Sequence, residues 1–96
     1  MQFLLVAYDA DDDDALNRRM AAREAHLALV EENKASGHAK YGAALVENGK
    51  MVGSMMVLEY ANKKELDAWL EVEPYILQNV WVGISISECK IAPSFT

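Results

Sequence analysis

Residues 15–37, ALNRRMAAREAHLALVEENKASG, set the plan of this chain, because they read as one long amphipathic helix between stretches of a different period. At 100° per residue, Leu16, Met20, Leu27 and Val30 fall on a single apolar stripe. Arg23 falls in the middle of that stripe, with Arg19 and His26 at its edge, one turn to either side. Two guanidiniums and an imidazole therefore share the side of the helix expected to face the core. Such a cluster needs either a carboxylate from elsewhere in the chain or an anionic ligand. Ser36-Gly37 closes the helix, since glycine suits the left-handed cap.

Upstream of the helix, Gln2 to Tyr8 is apolar at nearly every position, as in a strand covered on both faces. The acidic run Asp9 to Asp14, with Ala10 inside it, ends that strand. Asp14 is expected to cap the helix, its neighbours favouring the positive helix end. A metal site is the sharper reading of the run, but consecutive loop residues point in different directions and rarely converge.

Downstream, Tyr41 to Val46 and Met51 to Tyr60 flank Asn48-Gly49, the pair best suited to a type I′ hairpin turn. Asn62 and Glu65 have the spacing of a capping box, and Leu66, Trp69 and Leu70 give a second, shorter helix its apolar side. Pro74 closes or redirects that helix. A last strand spans Val80 to Ile91, with Val80, Val82, Ile84 and Ile86 on one face and Trp81, Gly83, Ser85 and Ser87 on the other. The order is β-α-β-β-α-β, which predicts an α+β, ferredoxin-like fold: a four-stranded antiparallel sheet with two helices on one face. The first three strands are apolar on both sides. The face away from the helices is therefore expected to be covered by a second copy, giving a homodimer of the α+β barrel type.

With 96 residues the chain is read as one domain, 1–96. Apolar residues make up 52% and charged residues 25%, a globular balance in which a core can form. A chain of this size buries only about 60–65% of its unfolded surface, so an oligomer would help it. A formal charge of −6 argues against nucleic acid as a partner. The single cysteine, Cys89, rules out a disulfide framework or a multi-cysteine zinc site, and most simply packs as a small hydrophobe. No apolar run reaches the roughly 20 residues of a membrane span, and MQFLLVAY lacks the features of a signal peptide. A cytoplasmic protein without cofactor or metal is expected.

Of the two histidines, His38 follows the glycine cap and reads as solvated. His26 lies beside Arg23, and imidazole is the usual acid–base group near neutral pH. Among the carboxylates that could answer it, Glu73 stands at a chain reversal just before Pro74, where a side chain can be aimed back at the sheet. Gly53-Ser54 offers a close backbone approach and a hydroxyl donor, although no nucleophile motif surrounds the serine. Met51, Met55 and Met56 read as core or interface filler. No metal-ligand spacing and no glycine-rich nucleotide loop is present.

Taken together, these pieces resemble the YciI-like (YCII) family of small dimeric ferredoxin-like proteins. The resemblance rests on the apolar strand ending in Tyr8-Asp9, the R-x-x-H-L segment Arg23 to Leu27, Gly37, Gly42, Gly53-Ser54, Glu73-Pro74-Tyr75 and the closing strand. It spans almost the whole chain and depends on the order of short motifs rather than on any one. It implies a site between helix and sheet built on a histidine paired with an aspartate; a dehydrochlorinase acting on a chlorinated hydroxyquinone belongs to the family. The histidine falls on His26 and the acid on Glu73, where this chain has glutamate in place of aspartate. Arg23, Ser54 and Tyr75 are then the expected substrate-binding side chains. The pairing predicts a Glu73 oxygen within about 3.2 Å of one imidazole nitrogen, with the other nitrogen facing a cavity.

Three functions fit these residues. The first is a small-molecule enzyme of lyase or isomerase type, with His26 and Glu73 catalytic and Arg23 holding an anionic or phenolate group. The second is a non-catalytic binder of small anions, and the third a dimeric interaction module whose polar cluster only specifies the fold.

Overall fold

The computed structural model describes residues 1–96. Its elements are β1 (Gln2–Asp9), α1 (Ala15–Ala35), β2 (Ala39–Glu47), β3 (Lys50–Glu59), α2 (Lys63–Leu70), α3 (Pro74–Leu77) and β4 (Trp81–Cys89), followed by a 3-10 turn at Pro93–Phe95. The sheet has the order β2-β3-β1-β4 with every neighbouring pair antiparallel, the ferredoxin-like arrangement. The hairpin turns where expected: Asn48 and Gly49 both have positive φ, +50° and +78°, as a type I′ turn requires. At the end of α1, His38 N bonds Asn33 O and Gly37 N bonds Lys34 O around a left-handed Gly37. That Schellman motif stops the helix and turns the chain into β2.

Alternation along β1 and β3 builds the core. Phe3, Leu5, Ala7, Met56 and Leu58 point to the helices and are buried, and Leu66 and Trp69 of α2 close over them. Burying a leucine such as Leu5 or Leu58 stabilises the fold by about 1.5–3 kcal/mol each. On the opposite face Leu4 and Val6 pair across the ladder with Val57 and Met55; all four stay half-buried, and Tyr8 and Tyr41 are exposed. Gly53 lies on this face, where a Cβ would come within 2.4 Å of the Ala7 carbonyl oxygen, so only glycine lets β3 and β1 approach this closely.

Four expectations are corrected. The buried stripe of α1 is Ala15, Arg19, Ala22 and His26, not the stripe centred on Arg23; Met20, Arg23 and Leu27 are exposed. The helix has turned its small alanines inward, which lets it lie close to the sheet, and the buried Arg19 is neutralised rather than excluded. Asp14 occupies the N-cap position but makes no side-chain bond to the helix backbone. The acidic run is used differently: Asp12 grips Arg18 at 2.6 Å, and that contact holds the Asp12 carboxyl down at about 2. Of the two expectations for Pro74, closing α2 is the one that fails: α2 stops at Leu70, and Pro74 redirects the chain by starting α3 at the first helical position, with Glu73 as N-cap. Lastly, a bulge between Tyr8 and Asp9 pairs Asp9 with Trp81 rather than Val82. One extra residue flips the face a side chain takes, so Trp81 is buried on the helix side with Asp9 instead of alongside Gly83.

Candidate active site

Two polar clusters meet under α1. In the first, Arg19 and Asp9 are both 4% exposed, and Arg19 donates to the two Asp9 oxygens at 3.0 and 3.1 Å. Its other terminal nitrogen donates to Ser54 Oγ at 2.9 Å, and Trp81 Nε1 donates to the same oxygen at 3.1 Å. With both lone pairs of Oγ occupied, the hydroxyl proton is what Ser54 has left to offer. The Arg19 guanidinium also lies 4.8 Å above the Tyr75 ring, joining this cluster to the next.

In the second cluster the His26 ring is stacked on Tyr75, with centroids 3.9 Å apart and planes 12° from parallel, and Trp81 meets its edge. Nδ1 of His26 lies 2.5 Å from Oε1 of the fully buried Glu73. Oε1 also accepts the Tyr75 amide at 3.1 Å, so one oxygen caps α3 and orients the imidazole. Glutamate has the reach for both because its backbone stands at the head of α3. Oε2 of Glu73 is buried without a partner. A carboxylate only accepts, so Nδ1 carries the proton and Nε2 is the basic nitrogen of the neutral ring. Nε2 makes no hydrogen bond within the chain and is not sealed off.

The open side is a cavity of about 360 Å³ between α1 and strands β2 and β3, lined by His26, Tyr75 and Ser54 among others. It exists because β2 presents Gly42 and Ala44 to the helix, where larger side chains would fill the space. Its charge is one-sided: Arg19, Arg23, Lys34 and Lys40 line it, with no aspartate or glutamate, in a chain of net charge −6. Arg19 is spent on Asp9, and Lys40 lies 3.8 Å from Glu59, whereas Arg23 and Lys34 have no ion pair. The Tyr75 phenol is pushed up by burial, with Arg19 and Arg23 pulling the other way, so it stays a neutral donor at ordinary pH. No group of three or more His, Cys, Asp or Glu side chains converges here or elsewhere as a metal site would.

The structure thus brings together His26, Glu73, Tyr75 and Ser54, and places Arg23 at the cavity rather than in the core. Spacing misses Asp9, Arg19 as the buried member, and Trp81. A signal for Asp9 exists, since it continues the alternation Phe3, Leu5, Ala7 on the helix side; Trp81 has none, because a bulge leaves no local mark.

Fold and site define a ferredoxin-like α+β protein with a histidine–carboxylate pair opening on a cationic cavity. Residues 1–90 match the YCII-related domain, and the chain belongs to that family. Protein YciI from Escherichia coli is 26% identical over 94 residues, covering 91% of this chain and 96% of the relative, and Protein YciI from Shigella flexneri matches to the same extent. Among solved structures, the 5-chloro-2-hydroxyhydroquinone dehydrochlorinase of Burkholderia phenoliruptrix, in complex with 2,5-dihydroxybenzoquinone, superimposes with a TM-score of 0.86 at 23% identity over 98% of both chains. A dimeric ferredoxin-like protein of unknown function from Jannaschia sp. gives 0.58 at 14% identity, over 94% of this chain and 98% of that one. At these identities the two structures establish the shared fold. No helix is long and apolar enough to cross a membrane.

Proposed function

We propose that this chain is a cytoplasmic enzyme acting on a small, acidic, hydroxylated aromatic molecule by elimination or isomerisation, with His26 as its acid–base group. The observation that carries the reading is the His26–Glu73 contact, with Nδ1 held by a buried carboxylate and Nε2 left free at a cavity lined by cations. In an elimination, Nε2 takes a proton from the substrate. The electrons of that bond form a new π bond, and the leaving group departs with its own pair, so that HX is lost. Arg23 and the hydroxyls of Ser54 and Tyr75 hold the oxygen on which negative charge gathers. The dehydrochlorinase that shares the fold, and that was solved with a dihydroxybenzoquinone, supports this class of substrate.

The test is a turnover screen of chlorinated hydroxyhydroquinones, read as chloride release, beside binding of 2,5-dihydroxybenzoquinone. Arg23→Leu should weaken binding about tenfold or somewhat more, the low end of what one charge-assisted contact is worth, while leaving stability within about 0.5 kcal/mol because Arg23 is exposed and unpaired. Unchanged affinity in that variant removes Arg23 from the site.

The same unpaired cations support a second reading, a binder of small anions without turnover; saturable binding with no product in the screen would select it. The working unit on either reading is a homodimer of one-domain chains joined through the outer sheet face. Half-buried Leu4, Val6, Met55 and Val57 and the dimeric relative of the same fold support this. Sedimentation showing only monomer at micromolar concentration would overturn it.

A further inference from the structure

The free cations of the cavity do not sit together. Arg23, His26, Leu27, Val30 and Lys34 run along one flank of α1, and all of them line the cavity. Lys34 stands eight residues beyond His26, which at ~1.5 Å per residue is ~12 Å along the helix axis. Between the two ends of this flank the helix contributes apolar Leu27 and Val30, and Met56 of β3 also lines the cavity. The floor is the β2 segment whose Gly42 and Ala44 leave room above it. The cavity is therefore graded: a basic end with the acid–base group, a greasy middle, and a second basic end at the last turn of α1. Lys34 has no ion pair, and no carboxylate lines the cavity to neutralise it. A volume of about 360 Å³ falls in the range of cavities that hold a whole drug-sized ligand rather than a single small ring.

We infer that the ligand is an elongated acid with two anionic groups: an acidic hydroxyl at the His26–Arg23 end, and a carboxylate on an apolar arm, on the order of 10 Å away, received by Lys34. This rests on the reading of His26 as the acid–base group and adds the second half of the substrate. An ammonium is a compact point charge that accepts a carboxylate from several directions, which suits the outer end of a cavity where no rigid fork is available. Lys34 also lies where a cation complements the helix dipole. That role alone would make no distinction between ligands.

The test compares three probes by calorimetry on the whole protein: 2,5-dihydroxybenzoquinone, the same ring carrying a carboxypropyl arm, and the methyl ester of that acid. The acid should bind about three- to fivefold more tightly than the ester, the gain should shrink with salt, and Lys34→Gln should abolish it. Lys34→Gln should cost the unsubstituted ring and the ester alike, and less than it costs the acid. Lys34 is exposed, and an unchanged circular dichroism spectrum confirms that the variant is folded. Equal affinity for acid and ester, or a preference that survives Lys34→Gln, overturns the inference while leaving the acid–base reading intact if the bare ring still binds. An acid that binds through Lys34 while the bare ring does not supports the distal carboxylate site and counts against the dihydroxyquinone class. Failure of all three probes overturns both.

Discussion

The molecule contains the same small construction twice. His26 is stacked on Tyr75 with centroids 3.9 Å apart, His38 on Tyr60 at 4.4 Å, and in both pairs the planes are 12° from parallel. In both, Nδ1 of the histidine meets an oxygen: Oε1 of Glu73 at 2.5 Å for His26, the backbone carbonyl of Glu59 at 2.9 Å for His38. What differs is the nature of the oxygen and what lies beyond the ring. A carbonyl can hold a tautomer but cannot answer a charge; a carboxylate does both, stabilising the imidazolium that forms when the ring takes a proton. His26 opens on the cationic cavity, and His38 does not line it. A stacked histidine is therefore structural by default here, and becomes a candidate for chemistry through its acid and its cavity.

The largest effect that could break this contrast is on turnover. With a substrate from the chloride-release screen, His26→Ala should lower kcat about 10²–10⁴-fold, the usual worth of a positioned acid–base group. His38→Ala should leave kcat unchanged. Equal losses in both variants would show that the stacks serve the fold alike and that the difference between their oxygens has no chemical meaning.

Stability should divide the two constructions next. Glu73→Ala leaves His26 Nδ1 buried without a partner and removes the cap of α3, so unfolding in urea should show a loss of about 2–3 kcal/mol. The unpartnered Oε2 keeps the figure towards the low end of what breaking a buried pair costs, because the native pair already carries one unmet acceptor. Glu59→Ala cannot remove the oxygen that His38 uses, since that oxygen is main-chain. It deletes only the outward contacts to Gln2 at 2.8 Å and Lys40 at 3.8 Å, both open to solvent, so the urea midpoint should hardly move.

How far such a contrast can be read from sequence depends on the kind of signal. Elements marked by local chemistry are legible. Asn48-Gly49 gives the turn, Gly37 the helix end, Asn62 and Glu65 the start of α2, where Asn62 Oδ1 accepts the Glu65 amide at 3.0 Å. The strand order follows from the βαββαβ succession. The inward face of α1 is not legible from apolar periodicity, because Leu16, Met20, Leu27 and Val30 outweigh two alanines in any count. The chain nevertheless buries Arg19, with Asp9 to neutralise it. Asp9 itself can be read from the alternation of β1, but that it meets Arg19 is a tertiary fact with no local trace. The bulge at Tyr8/Asp9 is of the same kind, and it decides where Trp81 points. Glu73 and His26, 47 residues apart, are joined in sequence only by resemblance to a family; nothing in their spacing links them.

The smallest expected effect concerns the tyrosines that carry the two stacks. Burial pushes the Tyr60 phenol from its ordinary value of 10.0 up to about 12, with Glu73 and then Glu65 adding repulsion against the phenolate. A raised folded value means that the native state keeps its proton while the unfolded chain has begun to lose one. Stability is therefore unaffected by Tyr60 below about pH 10 and falls as pH climbs from there toward 12. Tyr60→Phe keeps the ring against His38 and removes the group that titrates, so the alkaline fall in urea midpoint should be shallower in the variant, with little difference at pH 8. The Tyr75 phenol is also raised by burial, but Arg19 and Arg23 act against the rise, so Tyr75→Phe should flatten the same limb less. If Tyr75→Phe flattened it more, the cations of the cavity would be failing to reach the Tyr75 phenol, and the electrostatic difference between the two stacks would have to be redrawn.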